Sequence, residues 1–332
     1  MMGDCLTLRS RYCLSPALLG AVVALSCFGQ APRFEAGVTN VRIDALVTQK
    51  GRIVTGLEQS DFLVRDENEV RDTVAFASEA LPVDVVLLCQ YVHVPPDDKK
   101  YQKYFQYFSQ LNVNNAAQAL RGLRPEDRAA VISFGLDPQI EQPLTSDRAE
   151  IAAAVQRLGK RSGPGVSGAD HMAIEWALRL LAEERTKERA KGGDSLRRSV
   201  VLTVSWRGWG TPAMFNDEPT IFRLWEENTV LSAVLTLPGT GHLITSTEPD
   251  ALFYRMENMA HIAAETGGSV VYVPTDDFPD LLARVRSGYS LWFRPVEAKP
   301  GTVRRITVQL TEEAKKRHPG AEIQARKGYV VR

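Results

Sequence analysis

The sequence predicts an α/β protein: a doubly wound, mostly parallel sheet with a small β domain formed by the N- and C-terminal segments. Three observations predict it. From Val83 onward, short apolar runs alternate with segments of helical period, as in βαβ units. Residues 34–80 and 288–332 instead hold short alternating runs with no long helical period. Neither terminal segment has enough strands for a stable sheet alone. The two are therefore expected to pair, with the α/β domain of residues 81–287 inserted between them.

The elements follow in order. In the first segment, Val41, Ile43, Ala45 and Val47 share one face of a half-buried strand. Gln49-Lys50-Gly51-Arg52 turns it, and strand pieces follow at Ile53-Val54, Phe62-Leu63-Val64 and Thr73-Val74-Ala75-Phe76. The continuous apolar run Val85-Val86-Leu87-Leu88-Cys89 reads as a strand covered on both faces. Residues 115–123 are helix-compatible, and Ala129-Ala130-Val131-Ile132-Ser133-Phe134 is the next strand. Asp147 with Glu150 makes a capping pair; Ile151, Val155 and Leu158 then share a face up to Gly159. A helix over 170–181 has a charged extension to Arg189, and Gly192-Gly193 ends it. Strands are expected at 200–204, 230–237 and 269–272, with helices capped by Asp250 and starting near Asp277. Residues 289–293, 305–310, 322–325 and 329–331 return to β.

Composition excludes little but is useful. Lys+Arg and Asp+Glu are both 40, so nothing points to a nucleic-acid partner. Arg9 and Arg11 precede an apolar run over 14–28, then Gly29-Gln30-Ala31, which reads as a signal peptide over residues 1–31. The run is shorter than the about 20 residues a membrane span needs. Two alternatives stay open: a lipidated Cys27 in Ala24-Leu25-Ser26-Cys27, and an uncleaved anchor. Membrane contact is expected only through such a leader. Of the 4 cysteines, only Cys89 lies outside it, so the mature chain has no internal disulfide.

Residues 81–287 resemble a von Willebrand factor A domain. The resemblance rests on Leu123-Arg124-Pro125-Glu126-Asp127-Arg128 leading into Val131-Ile132-Ser133-Phe134, and on Ile262-Ala263-Ala264-Glu265-Thr266-Gly267-Gly268 leading into a strand. The flanks resemble an exported bacterial group common in Acidobacteria. Their matching pieces are Gly51-Arg52-Ile53-Val54-Thr55-Gly56-Leu57, Asp61-Phe62, Tyr289-Ser290-Leu291, Arg305-Ile306-Thr307-Val308 and Ala325-Arg326-Lys327-Gly328-Tyr329. Metal-binding members of the family hold Mg²⁺ through Asp-x-Ser-x-Ser in a first loop, a Thr in a second and an Asp in a third. Here those positions carry Cys89, Tyr91 and His93, then Val166 or the adjacent Ser167, then Ser205. Serine hydroxyls without a carboxylate do not hold Mg²⁺ against water, so the metal site is read as degenerate and no metal or cofactor is expected.

Other uses of the same edge are open. Cys89, His93 and His171 suit zinc, or a thiol-dependent enzyme, against a bland reading of Cys89 as a small core residue. Trp206, Arg207 and Trp209 have interface composition. Phe222 and Trp225 are expected to pack a short helix over 219–227 onto the sheet. The combined expectation is an exported, non-enzymatic, adhesion-like module that binds a protein in the cell envelope or outside the cell. It would use loops at the C-terminal edge of the sheet, without a bridging metal. The zinc or thiol enzyme and a structural subunit of an envelope assembly are the alternatives.

Overall fold

Strand β1 (Val41–Gln49) shows how the parts of the molecule are joined. Its Ile43, Ala45 and Val47 point into one apolar core, while Arg42 and Asp44 on the opposite face meet arginines of the α/β part. The polar half of its alternation therefore meets protein, not only water. This is a computed structural model; it describes residues 40–78, 81–91, 99–135, 137–160, 169–191, 196–206, 216–236, 249–273 and 280–332. Pro32–Arg332 cluster as one compact unit.

Two small antiparallel sheets enclose the first core. One has β1 between β12 (Tyr289–Phe293) and β14 (Ala321–Ala325), with β5 (Thr73–Ala77) beyond β12 and β2 (Arg52–Ile53) on β1. The other runs β15 (Gly328–Val330), β13 (Val303–Leu310), β3 (Phe62–Asp66), β4 (Glu69–Arg71). Phe62, Val64, Tyr289, Leu291, Phe293, Ile306 and Val308 fill the space between them. N- and C-terminal segments thus contribute strands to the same two sheets.

The central sheet has six strands in the order β11 (Val270–Val273), β10 (Thr229–Thr236), β9 (Arg198–Trp206), β6 (Val83–Gln90), β7 (Arg128–Phe134), β8 (Gln139–Thr145). All neighbours are parallel except β7 and β8. Side chains of β6 alternate between the two faces, as a strand requires. Val85, Leu87 and Cys89 pack under α1 (Lys99–Ala119), α2 (Arg148–Leu158) and α6 (Leu281–Arg286). Val86 and Leu88 pack under α3 (Ala169–Ala190), α4 (Glu218–Glu226) and α5 (Pro249–Thr266).

Some elements depart from the sequence expectation. Helix α1 starts well before residue 115 and ends at Ala119; its buried stripe, Ala116 and Ala119, is too small to mark its length. Strand β8 was not expected; it is an edge strand containing Pro143, where a missing N–H is tolerated. Asp250 is the second residue of α5, not its cap. Asp280, not Asp277, caps α6, accepting from the Ala283 N–H at 2.8 Å; Asp277 is outside the described residues. Helix α7 (Glu312–Arg317), capped by Thr311, was also not foreseen.

Buried arginines lock the two parts together. Arg198 donates to the carbonyls of Val285, Arg286 and Gly288 and to Ser290 Oγ, where the chain returns to the first small sheet. Burial pushes its pKa down to about 10, against the pull of Asp44. Asp127 accepts the Val83 and Arg124 N–H groups at 2.8 Å and pairs with Arg286, fixing the start of β6. In the Glu265-Thr266-Gly267-Gly268 motif, the Glu265 carboxylate pairs with Arg305 and Lys327. A Cβ on Gly268 would stand 1.7 Å from the Leu231 carbonyl oxygen, so only glycine lets the chain pass there.

Candidate functional site at the C-terminal edge of the sheet

Strand β6 delivers Cys89 to the end of its apolar run, where the thiol is 2% exposed. Burial pushes its pKa up to about 12, so it keeps its proton at neutral pH. Tyr91 follows. Its N–H donates to the Phe134 carbonyl at 3.0 Å, and its ring lies over Gly135, where a Cβ would come within 2.2 Å of it. Ser205 sits half-buried near the end of β9, opposite Leu235 of β10.

Behind these positions lies a polar network that the sequence reading missed. Asn112 Nδ2 donates to the Gln90 carbonyl at 3.0 Å, tying α1 to the end of β6. Thr236 Oγ1 donates to Asn112 Oδ1 at 3.1 Å and accepts from Asn115 Nδ2 at 2.9 Å. All three residues are buried. The available signal was a pair of asparagines one helical turn apart on the α1 face that also carries Ala116 and Ala119.

Residues 102–205 match the family model of the von Willebrand factor type A domain. The match runs from α1 to Ser205 in β9 and leaves out β6 with Cys89. No curated protein matches the chain. Among solved structures, the chain is similar to proximal thread matrix protein 1 from the mussel byssus, at 13% identity and TM-score 0.37, covering 64% of this chain and 47% of that one. The chain thus spans about half the length of that protein. It is also similar to the conserved hypothetical protein BatB from Bacteroides thetaiotaomicron, at 13% identity and TM-score 0.37, covering 62% of this chain and 96% of that one. An aerotolerance-related membrane protein from Bacteroides fragilis gives 12% identity and TM-score 0.36, covering 61% and 94%.

The metal that a von Willebrand A domain implies does not fit the donors described. The first-loop positions give a protonated, core-packed thiol and a phenol ring laid against β7; the third gives a hydroxyl. None is a carboxylate, which Mg²⁺ sites rely on. His93 and Val166 lie outside the described residues. Two carboxylates lie at helix starts nearby in sequence: Asp170 in the first turn of α3 and Asp217 just before α4. Burial pushes the Asp217 pKa up, with His171 and His261 pulling the other way. Among the described residues no three His, Cys, Asp or Glu side chains gather to hold one ion.

Nor does the fold join Cys89 to His171. Cys89 packs on the α1 side of the sheet, whereas α3, which carries His171, packs on the other. His171 Nδ1 lies 2.8 Å from Thr220 Oγ1, and its Nε2 is 3.7 Å from Asp217. The zinc or thiol pairing of these two residues is corrected accordingly: a buried, protonated thiol is a core residue. Arg207 and Trp209 lie outside the described residues, as does the side chain of Trp206. Phe222 and Trp225 do pack α4 onto the sheet, and the Trp225 indole N–H donates to the Glu265 carbonyl at 2.8 Å. An exposed pair that the sequence did not flag is Met172 and Trp176, 43% and 40% exposed and one turn apart on α3.

Proposed function

We propose that this protein is an exported, non-enzymatic interaction module. It binds a protein partner of the cell envelope or the exterior through the C-terminal edge of its central sheet, without a bridging cation. The observation that carries the reading is Cys89. At the position where the resemblance calls for the first ligand carboxylate stands a thiol buried in the core. The described residues around it, Tyr91, Asn112, Asn115 and Thr236, are neutral, which favours contact by shape and hydrogen bonding. Exposed Met172 and Trp176 on α3 supply the kind of side chains that anchor interfaces. Trp206, Arg207 and Trp209 belong to the same proposed surface. No described helix is long and apolar enough to cross a membrane.

The test is capture from envelope extract by the mature protein, in millimolar Mg²⁺ and in EDTA. The same partner should be retained in both, and Trp176→Ala should weaken its retention. Loss of capture in EDTA alone would overturn the metal-free reading. N-terminal sequencing of the native protein should begin between about Cys27 and Phe34; an intact Met1 would remove the export step.

A further inference from the structure

A second charged feature lies in a cleft of about 320 Å³ between the first small sheet and the α/β part. Six arginines line it, Arg42, Arg185, Arg189, Arg197, Arg326 and Arg332, against the carboxylates of Glu226 and Glu227. Some of these cations are matched. Arg185 and Arg332 reach Glu227, and Arg197 reaches Asp84. At the base the match is incomplete. Arg42 pairs with Asp44 at 3.0 Å, and Arg198 approaches the same carboxylate at 3.5 Å. Arg326, only 8% exposed, has its terminal nitrogens on the main-chain carbonyls of Trp225 and Arg42 and forms no ion pair with the described residues. Asp44 is thus the acid facing three guanidiniums.

Two further facts point to a missing anion. Arg326 Nε is a buried nitrogen without a hydrogen-bond partner among the described residues, whereas Arg42 Nη2 lies 3.0 Å from Asp44 Oδ1. A donor like Arg326 Nε is rare, and an ion is a common reason for it. Arg189 stands exposed beside the cleft with no ion pair to the described residues, adding a cation close to Arg185. Burying surplus positive charge is costly unless a counter-charge arrives. Guanidinium forks match oxyanions in a bidentate geometry, and the cleft has the size of a small-molecule site.

We propose that this cleft binds a small polyanion through its carboxylate or phosphoryl oxygens, with Arg326 as the buried donor and Arg189 at the rim. The site is independent of the sheet edge discussed above. It is tested by isothermal titration of the whole mature protein with citrate and with pyrophosphate, ionic strength being held constant with sodium chloride. Saturable binding of at least one is expected; the preferred probe tells carboxylate from phosphoryl ligands. Arg189→Glu, at an exposed position, should leave the anion-free melting temperature unchanged and weaken binding about tenfold or more. Arg326→Lys, which keeps the charge and loses the fork, should also weaken it. If Arg326→Lys does not fold, Arg189→Glu decides alone. No saturable binding of either probe, or unchanged affinity in Arg189→Glu, overturns the proposal.

Discussion

The two ends of the parallel strands carry contrasting chemistry. At the N-terminal end, Asp84 receives Arg128 and Arg197, Asp127 receives Arg286, and Arg198 closes on the returning chain. At the C-terminal end the strand ends are backed by a thiol, a phenol, two amides and a hydroxyl, Cys89, Tyr91, Asn112, Asn115 and Thr236, with Asp170, His171 and Asp217 at the starts of α3 and α4. Open α/β sheets usually place ligand chemistry at the C-terminal end. Here the dense fixed charge lies at the other end, where the small antiparallel sheets dock. Charge at the N-terminal end holds parts together, while the opposite strand ends carry a mostly neutral hydrogen-bond network.

The largest test of that contrast is Arg198→Ala. It strands three carbonyls in a buried junction and takes one of its cations from Asp44, so a loss of about 3–5 kcal/mol is expected in urea unfolding. Tryptophans on both sides of the junction should report one shared transition; a loss below about 1 kcal/mol would mean that the junction is not held by charge.

Acid comes next. Burial raises the Asp127 pKa, but donors from Arg124, Val83 and Arg286 outweigh it and hold the carboxyl below its usual range. A depressed folded pKa stabilises above the unfolded value, about 3.9, and that stability is lost as pH falls through the folded pKa. The urea midpoint should therefore be insensitive to this group between neutral pH and about 4, then fall. Asp127→Asn should lower the midpoint at pH 7 and flatten the acid limb; an unchanged acid limb would assign the pH dependence to other carboxylates, such as Asp44.

At the neutral end the effects are smaller. Asn112→Ala removes the amide donor to the Gln90 carbonyl and the acceptor of the Thr236 hydroxyl, at a cost of about 1–3 kcal/mol. Cys89 should resist iodoacetamide at pH 8 in the folded protein and react fully in urea; rapid native labelling would contradict its burial. Smallest of all, millimolar Mg²⁺ or Mn²⁺ should not raise the melting temperature. A ligand at a hundredfold excess over its Kd would add about 2.7 kcal/mol, an easily visible shift.

The sequence made the buried strands legible because their apolar runs are continuous: β6, β9 and β10 lie where Val85-Val86-Leu87-Leu88, Val200-Val201-Leu202 and Val230-Leu231 put them. Cys89 was legible as a core residue for the same reason. Strand β8 and the front of α1 were not, because polar residues and Pro143 hide their period. The arginine junction was invisible for a different reason. Arg42, Arg198 and Arg326 are far apart in sequence and become one cluster only when β1, β9 and the β14–β15 turn meet. On β1 alone, Arg42 and Asp44 look like ordinary solvent-facing alternation.

Strand β5 leads into the α/β part and β12 leaves it, and the two are hydrogen-bonded neighbours, with Ala77 opposite Ser290. This gives the molecule a line of mechanical load. A pull between Val41 and Val331 runs through the small sheets and shears β1 against β12 and β14. The helices of the α/β part lie off that line. A tug on a partner held at the far edge would instead reach β5 and β12 together and peel them apart from one end. Peeling yields at lower force than shear, so in an optical trap a pull from the far edge of the α/β part should open the molecule at lower force than a pull between Val41 and Val331.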